Sequence, residues 1–296
     1  MKTLITCLIV FSFIACKNDT SSNKTTDVEK TETKQQNHNQ SRDSVPVFSE
    51  EIQDYDKEKT KSIKRERLLK AQDDKSKLQE LVISKEFYKE EDLYILDYKY
   101  PYLNENINKY YSVFNNVIKE NYLNIEKTEN QILEDKELLC DTLKTNRLRE
   151  KRIIDYKIYN VNDKVLSVVL YKENYYSGMR YSTYLFDCIN FDLNTHEFVY
   201  FNDLFKTGSE EAVFNVINNL IKEKINSGEL YYDCWEISDG DFRAYKNNFV
   251  IDDDVVEFYF DDCVICPSYT GTYSVTIPIT KIMHLLKKYN ANPNVS

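Results

Sequence analysis

The chain has 296 residues, with 39 Lys plus Arg against 49 Asp plus Glu, and a formal net charge of −10. The imbalance sits late: residues 86–296 hold 23 basic against 35 acidic side chains, together with all five glycines and 23 of the 24 tyrosines. An acidic body repels phosphate backbones and is steered toward cationic surfaces, so no nucleic-acid partner is expected, whereas a basic protein or cell-wall partner is compatible.

The amino terminus reads MKTLITCLIVFSFIAC, one basic residue followed by an apolar run from Leu4 to Ala15. That run is short of the ~20 residues needed to cross a bilayer, and it fits the hydrophobic segment of a secretory signal. Phe13-Ile14-Ala15-Cys16 resembles a bacterial lipobox, with Phe13 where Leu is usual. The resemblance implies cleavage before Cys16 and acylation of that residue, and several acyl chains at ~0.8 kcal/mol per CH₂ hold a protein on a membrane durably. Residues 1–15 are therefore read as a lipoprotein signal peptide, and the chain as anchored to the outer membrane through palmitate-type lipid on Cys16. Lys17-Asn18-Asp19 resembles the Lys-plus-acid export tag of Bacteroidetes lipoproteins, which leaves the periplasmic and the outward face both open.

Residues 16–56 are polar and almost without large apolar side chains, which predicts a disordered tether behind the lipidated cysteine. Residues 57–85 lack Gly and Pro and predict a charged helical linker, with Ile63, Leu68, Leu69, Leu78, Leu81 and Val82 forming only a broken stripe. The folded body, 86–289, begins near Phe87. Leu93, Ile95 and Tyr98 predict a strand over 92–103, stopped at Pro101. Ile107, Tyr110, Tyr111, Phe114, Val117, Ile118, Tyr122 and Ile125 recur at three- and four-residue steps, a helical face. Strands follow over 153–161, 164–173 and 181–192. The middle one, VLSVVLY at 165–171, is apolar on both faces and hence central.

FVYFNDLF at 198–205 predicts a short strand and turn. A second helix opens with Ser209 as N-cap and Glu210 and Glu211 in its first turn, and carries a stripe of Val213, Val216, Ile217, Leu220, Ile221 and Ile225. Strands near 247–251, 255–260 and 273–278 precede a short helix, 279–289, and a tail, 290–296. The order predicts an α+β fold, a mainly antiparallel sheet packed with two long helices and a short C-terminal helix.

The motifs also come in a familiar order. Tyr100-Pro101-Tyr102-Leu103 and Asn104-Glu105-Asn106-Ile107-Asn108 lie in residues 86–150. Leu166-Ser167-Val168, Tyr176-Ser177-Gly178, Asn190-Phe191-Asp192-Leu193, Asp203-Leu204-Phe205, Phe258-Tyr259-Phe260 and Val275-Thr276-Ile277-Pro278 lie in residues 151–289. The chain thereby resembles the extracytoplasmic region shared by RsiV-type lysozyme-sensing anti-sigma factors and PdaC-type peptidoglycan deacetylases, in its Bacteroidetes lipoprotein form. The first half is PdaC-like and the second RsiV-like. Two departures stand out. Cys263 and Cys266 occupy positions that hold packing residues in that family, and Ser177-Gly178-Met179-Arg180 replaces the family's histidine-bearing hairpin. The resemblance implies no thiol chemistry for the cysteine pair and no role for the missing histidine.

Cys140, Cys188, Cys234, Cys263 and Cys266 remain once Cys7 leaves with the signal and Cys16 is acylated, an odd number that allows at most two disulfides. Their pairing stays open. A single Cys-x-x-Cys, with His196 and His284 the only histidines of the folded part, falls short of a zinc set, and a redox pair needs a helix N-terminus. The acid groups Asp252-Asp253-Asp254, Asp239-Gly240-Asp241 and Asp261-Asp262 read as turn chemistry, and Ser167 has no nucleophile elbow around it. No catalytic residue, cofactor or metal is expected. The remaining signal is aromatic: Tyr175, Tyr176, Gly178, Arg180 and Tyr181 around the hairpin are the candidate ligand-binding residues, with Tyr171 and Tyr184 beside them and Tyr231, Tyr232 and Trp235 as a second group. The sequence thus predicts a membrane-anchored, non-catalytic domain for a protein or cell-wall ligand, a lysozyme-like hydrolase among them. The alternative is an envelope enzyme acting on peptidoglycan or another carbohydrate through carboxylates.

Overall fold

Alternation at period two sets five strands side by side. They are β1 (Val82–Glu90), β2 (Tyr94–Leu103), β3 (Glu150–Val161), β4 (Val165–Tyr175) and β5 (Thr183–Asp192), in the order β1-β2-β3-β4-β5. All neighbours are antiparallel except β2 and β3, which run parallel over Tyr94–Tyr98 and Glu150–Ile154. The computed structural model describes residues 80–137, 149–161, 164–177, 179 and 181–287. The signal peptide, Cys16, the tether, most of the linker, Cys140 and the 290–296 tail lie outside the described residues.

Two boundaries differ from the sequence reading. Val82–Lys85, assigned to the helical linker, opens β1, so the folded body starts before Phe87. That strand is an edge dominated by Lys and Glu, a composition that blunts an exposed sheet edge and also hides the strand from pattern reading. Pro101 does not stop β2, which continues to Leu103. Beyond Tyr98 β2 has no β3 partner, so the proline sits on a locally open edge that tolerates its missing N–H.

A parallel neighbour needs a crossover. Here it contains a 3-10 turn (Lys109–Tyr111), α1 (Ser112–Val117), a π-helical turn (Ile118–Leu123) and α2 (Ile125–Glu137). The single long helix expected over 107–125 is thus broken. The π turn inserts a residue into the helical ladder, and Asn124, at φ 39°, closes it in the left-handed region that Asn tolerates. Asn108 caps the 3-10 turn by accepting from Tyr110 N at 3.0 Å, and its side-chain amide meets His196 Nε2 at 2.9 Å. The Asn-rich motif is therefore local turn chemistry that also ties the crossover to the end of β5.

A second, antiparallel sheet, β6 (Phe249–Ile251), β7 (Val255–Tyr259) and β8 (Ser274–Pro278), has the order β6-β7-β8. Around it lie α3 (Phe201–Leu204), α4 (Glu210–Asn226), α5 (Asp239–Tyr245) and α6 (Ile279–Ile282). Several local assignments change. The expected strand at 198–205 reduces to two isolated bridges, Phe198 to Phe191 and Phe205 to Leu286. Asp239-Gly240-Asp241 is the first turn of α5, with Ser238 Oγ accepting from Asp241 N at 3.1 Å. Ser209 precedes α4, but its hydroxyl donates backward to Lys206 O at 2.6 Å instead of capping the helix. The expected 279–289 helix shortens to α6 and a 3-10 turn over Met283–Leu285, because Leu286 leaves to pair with Phe205.

The layers follow from side-chain alternation. On one face of the first sheet Leu96, Leu166, Val168, Leu170 and Phe191 pack against Phe114 and Ile118 of the crossover. On the other face Val169, Tyr171, Phe186 and Cys188 meet Val250 and Tyr259 of the second sheet. The second sheet's far face, with Phe249, Phe258 and Ile277, packs on Ile217 and Ile221 of α4. The order is helices, sheet, sheet, helix. β4 is buried on both faces, as its unbroken apolar run predicts.

The outer edge of β5 is closed by the second sheet. Asn248 Oδ1 accepts from Cys188 N at 2.7 Å, and its Nδ2 donates to Phe186 O at 2.8 Å and Tyr259 O at 3.0 Å. Asp261 Oδ1 accepts from Phe186 N at 2.9 Å, and Asp262 N donates to Tyr184 O at 2.9 Å. Inside, Ser167 Oγ donates to Asn190 Oδ1 at 2.6 Å and accepts from Ile251 N at 2.8 Å, while Asn190 Nδ2 donates to Phe249 O at 2.8 Å. Ser167 is a buried connector between sheets.

Candidate functional site

The hairpin joining β4 to β5 carries the sequence candidates. Gly178 and Arg180 lie outside the described residues. Tyr175, Tyr176 and Tyr181 are each 37% exposed, and Met179 is 58% exposed. Tyr171 and Tyr184, grouped with them in the sequence, are core residues of the sheet-to-sheet layer. The base of the hairpin is fixed by a buried carboxylate. Glu173 Oε1 accepts from Tyr175 Oη at 2.5 Å and from Tyr184 Oη at 3.1 Å, with Ser182 Oγ 3.2 Å away. Three hydroxyls thus hold one acid, which sets the direction in which the hairpin leaves the sheet.

Beside that hairpin the helix-facing side of the sheet changes character. In β3 the phase that carries Ile154 and Ile158 into the core continues to Arg152. In β4 the phase of Leu166, Val168 and Leu170 continues to Lys172 and Asn174. Apolar packing gives way to two cations and an amide, still beneath α2. The result is a groove of about 560 Å³, lined among others by Tyr122, Thr128, Gln131, Arg152, Lys172 and Tyr176. Arg152 Nη2 donates to Glu150 Oε2 at 2.5 Å, and its guanidinium lies 3.9 Å over the Tyr176 ring. Lys172 Nζ is 2.5 Å from Asp187 Oδ2. Burial pushes the phenols of Tyr98 and Tyr122, which also line the groove, up to about 12.

Among the described cysteines two form a disulfide and two do not. Cys266 pairs with Cys234, not with its neighbour Cys263. Cys188 is buried, and desolvation raises its thiol well above the ordinary range, which suppresses the reactive thiolate. Cys263 is exposed in a turn at φ 66°, because β7 ends at Tyr259 and does not reach the Cys-x-x-Cys. Tyr231 and Trp235, flanking Cys234, are exposed, and Tyr231 makes an edge contact with Tyr269 at 6.2 Å.

The acid clusters are dispersed. Asp252–Asp254 turns β6 into β7, Asp239 and Asp241 open α5, and Asp261 binds the edge of β5 and accepts from Tyr245 Oη at 2.9 Å. Among the described residues no group of three or more His, Cys, Asp and Glu is placed to hold a metal ion.

Sequence reading found the aromatic hairpin but missed Arg152, Lys172, Tyr122 and Asn174. Strand phase becomes a signal only once the inward face is known, since a charged residue that continues an inward apolar series is then out of place unless it is used.

These features define an α+β domain of two stacked sheets between helical layers, with a polar groove under the crossover. Residues 202–280 match the family described as "Protein of unknown function (DUF3298)", a span from α3 to α6 that leaves out the hairpin and the groove. The fold is similar to that of a DUF3298 family protein from Pseudomonas aeruginosa PAO1, at 14% identity and a TM-score of 0.50 over 72% of this chain and 95% of that one. A DUF3298 member from Bacteroides fragilis NCTC 9343 matches at 15% identity and a TM-score of 0.43, over 70% and 94% of the two chains. No curated protein matches the chain.

Proposed function

We propose that the chain is a lipid-anchored, non-catalytic binding domain of the cell envelope, whose β4–β5 hairpin end grips a protein or cell-wall ligand. The observation that carries this reading is the exposure of Tyr175, Tyr176, Met179 and Tyr181 on a hairpin whose root is pinned by Glu173. Rigidly held exposed aromatics supply contact area at low entropic cost, as in protein and sugar recognition. The dispersal of the acid clusters among turns and a helix cap favours binding over hydrolysis by paired carboxylates, which need a shared cleft. The resemblance to lysozyme-sensing regions makes a basic muramidase one partner, and the 35 acids against 23 bases of residues 86–296 favour its approach. Lipid on Cys16 would hold the domain at the outer membrane.

The test is capture of cationic wall hydrolases, hen lysozyme first, by the full-length chain at low and moderate salt. Capture that weakens with salt, and falls about tenfold or more in a Tyr176→Ala, Tyr181→Ala double variant, supports the reading. Absence of capture at both salt levels removes the protein partner. Growth with labelled palmitate, with Cys16→Ser as control, tests the anchor, and an unlabelled native chain overturns it.

A further inference from the structure

The geometry points to a saccharide acid, a pyranose ring bearing a carboxylate, as the ligand of the groove beneath α2. The inference rests on the reading of the hairpin end as a ligand-binding face and specifies what that face takes. Its anchor is Arg152, only 8% exposed, whose Nη1 has no hydrogen-bond partner. Around the same guanidinium Nη2 donates to Glu150, and Tyr176 covers one face. A buried charged donor left without an acceptor is costly, and native structures rarely keep one outside a site that uses it.

Lys172 stands on the next strand on the same face. Arg152 pairs with Asn174 and Ile154 with Lys172, so the two cations are diagonal neighbours, whose separation on one sheet face is about 7–8 Å. Two side chains of that length can converge on one carboxylate. Glu150 and Asp187 each occupy one side of their cation, but Arg152 keeps its Nη1 edge and Lys172 has further N–H bonds to give. The partial neutralisation weakens affinity and leaves the geometry of recognition in place.

The wall also carries Leu123, Ile154 and Leu185, and the polar side chains between them favour a hydroxylated ring over a wholly apolar acid. Thr128, Gln131 and Asn174 offer amide and hydroxyl partners, and Tyr122 offers an aromatic surface. A volume of about 560 Å³ fits a small ligand of one or two rings, and inorganic phosphate would leave most of it empty.

Isothermal titration of the full-length chain with digalacturonate, cellobiose and inorganic phosphate tests the inference. Digalacturonate should bind, with the neutral sugar and phosphate each about tenfold weaker or worse, since charge-assisted hydrogen bonds decide the difference. Arg152→Gln should abolish binding. Because Arg152 is buried and paired, Gln131→Trp at an exposed position of α2 is the second variant. It should fill the groove and abolish binding with the melting temperature unchanged. Equal binding of cellobiose or of phosphate, or digalacturonate binding that survives Gln131→Trp, overturns the inference. Capture of a cationic protein by a chain that ignores digalacturonate also overturns it, while leaving the hairpin reading standing. Failure of both experiments overturns the two together.

Discussion

Asn248 does with one side chain what a strand would otherwise do. Its amide offers one acceptor and two donors, and all three are used, on Cys188 N, Phe186 O and Tyr259 O. The first two are the groups β5 exposes on its outer edge, so the residue imitates a neighbouring strand while standing immediately before β6. Asn248→Ala leaves a backbone donor and two acceptors unmatched in a half-buried seam. The expected loss is about 2–4 kcal/mol in a urea unfolding titration. Asn248→Asp should recover little, because a carboxylate can keep the Cys188 contact but presents acceptors to two carbonyl oxygens. Ser167 and Asn190 show the same logic deeper in the core. A serine in an apolar run reads as a candidate nucleophile or as an oddity, and becomes intelligible only once Ile251 N and Asn190 Oδ1 are seen on either side of it.

At the scale of elements, the disulfide staples the segment between α4 and α5 to the connection between β7 and β8. It closes a loop with a sequence separation of 32, for which the chain-entropy account gives roughly 3–4 kcal/mol. A Cys234→Ala, Cys266→Ala variant should melt lower by a corresponding amount, and dithiothreitol should lower the native chain's melting temperature while leaving the variant's unchanged. What the sequence disclosed about elements follows burial. β4, with its apolar run over Val165–Tyr171 buried on both faces, and α4, striped at three and four residues, were legible because their packing leaves a clear pattern in the sequence. β1 was not, because its lysines and glutamates serve the edge and erase the alternation. The break after α1 was not, because an inserted residue in a helix leaves the apolar spacing almost unchanged. The aromatic hairpin was legible from composition alone. The groove was not, since Lys151-Arg152-Ile153-Ile154 places one charge and one isoleucine on each face, and only the neighbours of β3 decide which face is inside.

At the scale of the whole molecule, several tyrosines lie in the interior, and that has a consequence for alkaline solutions. Tyr98 and Tyr122 are held protonated by burial up to about 12, against an ordinary value near 10. Burial raises Tyr159, Tyr245 and Tyr273 as well. Between pH 10 and 12 the unfolded chain releases phenolic protons that the folded chain keeps. The folded state then binds more protons, and stability must fall as pH rises through that window. Thermal melting should be flat in this respect below pH 10 and drop steeply above it. Absorbance at 295 nm should show a group of phenols that ionise only with unfolding, and a single titration near pH 10 would contradict the burial described for them.

Strand direction joins the sheet and the groove in one cause. Had β3 run opposite to β2, a tight reversal could have linked them and the sheet would have been bare on that side. Because the two point the same way, the polypeptide must travel back along the sheet before starting again, and that return journey is α1, the π turn and α2. The roof over Arg152 and Lys172 is therefore the by-product of a single shared heading.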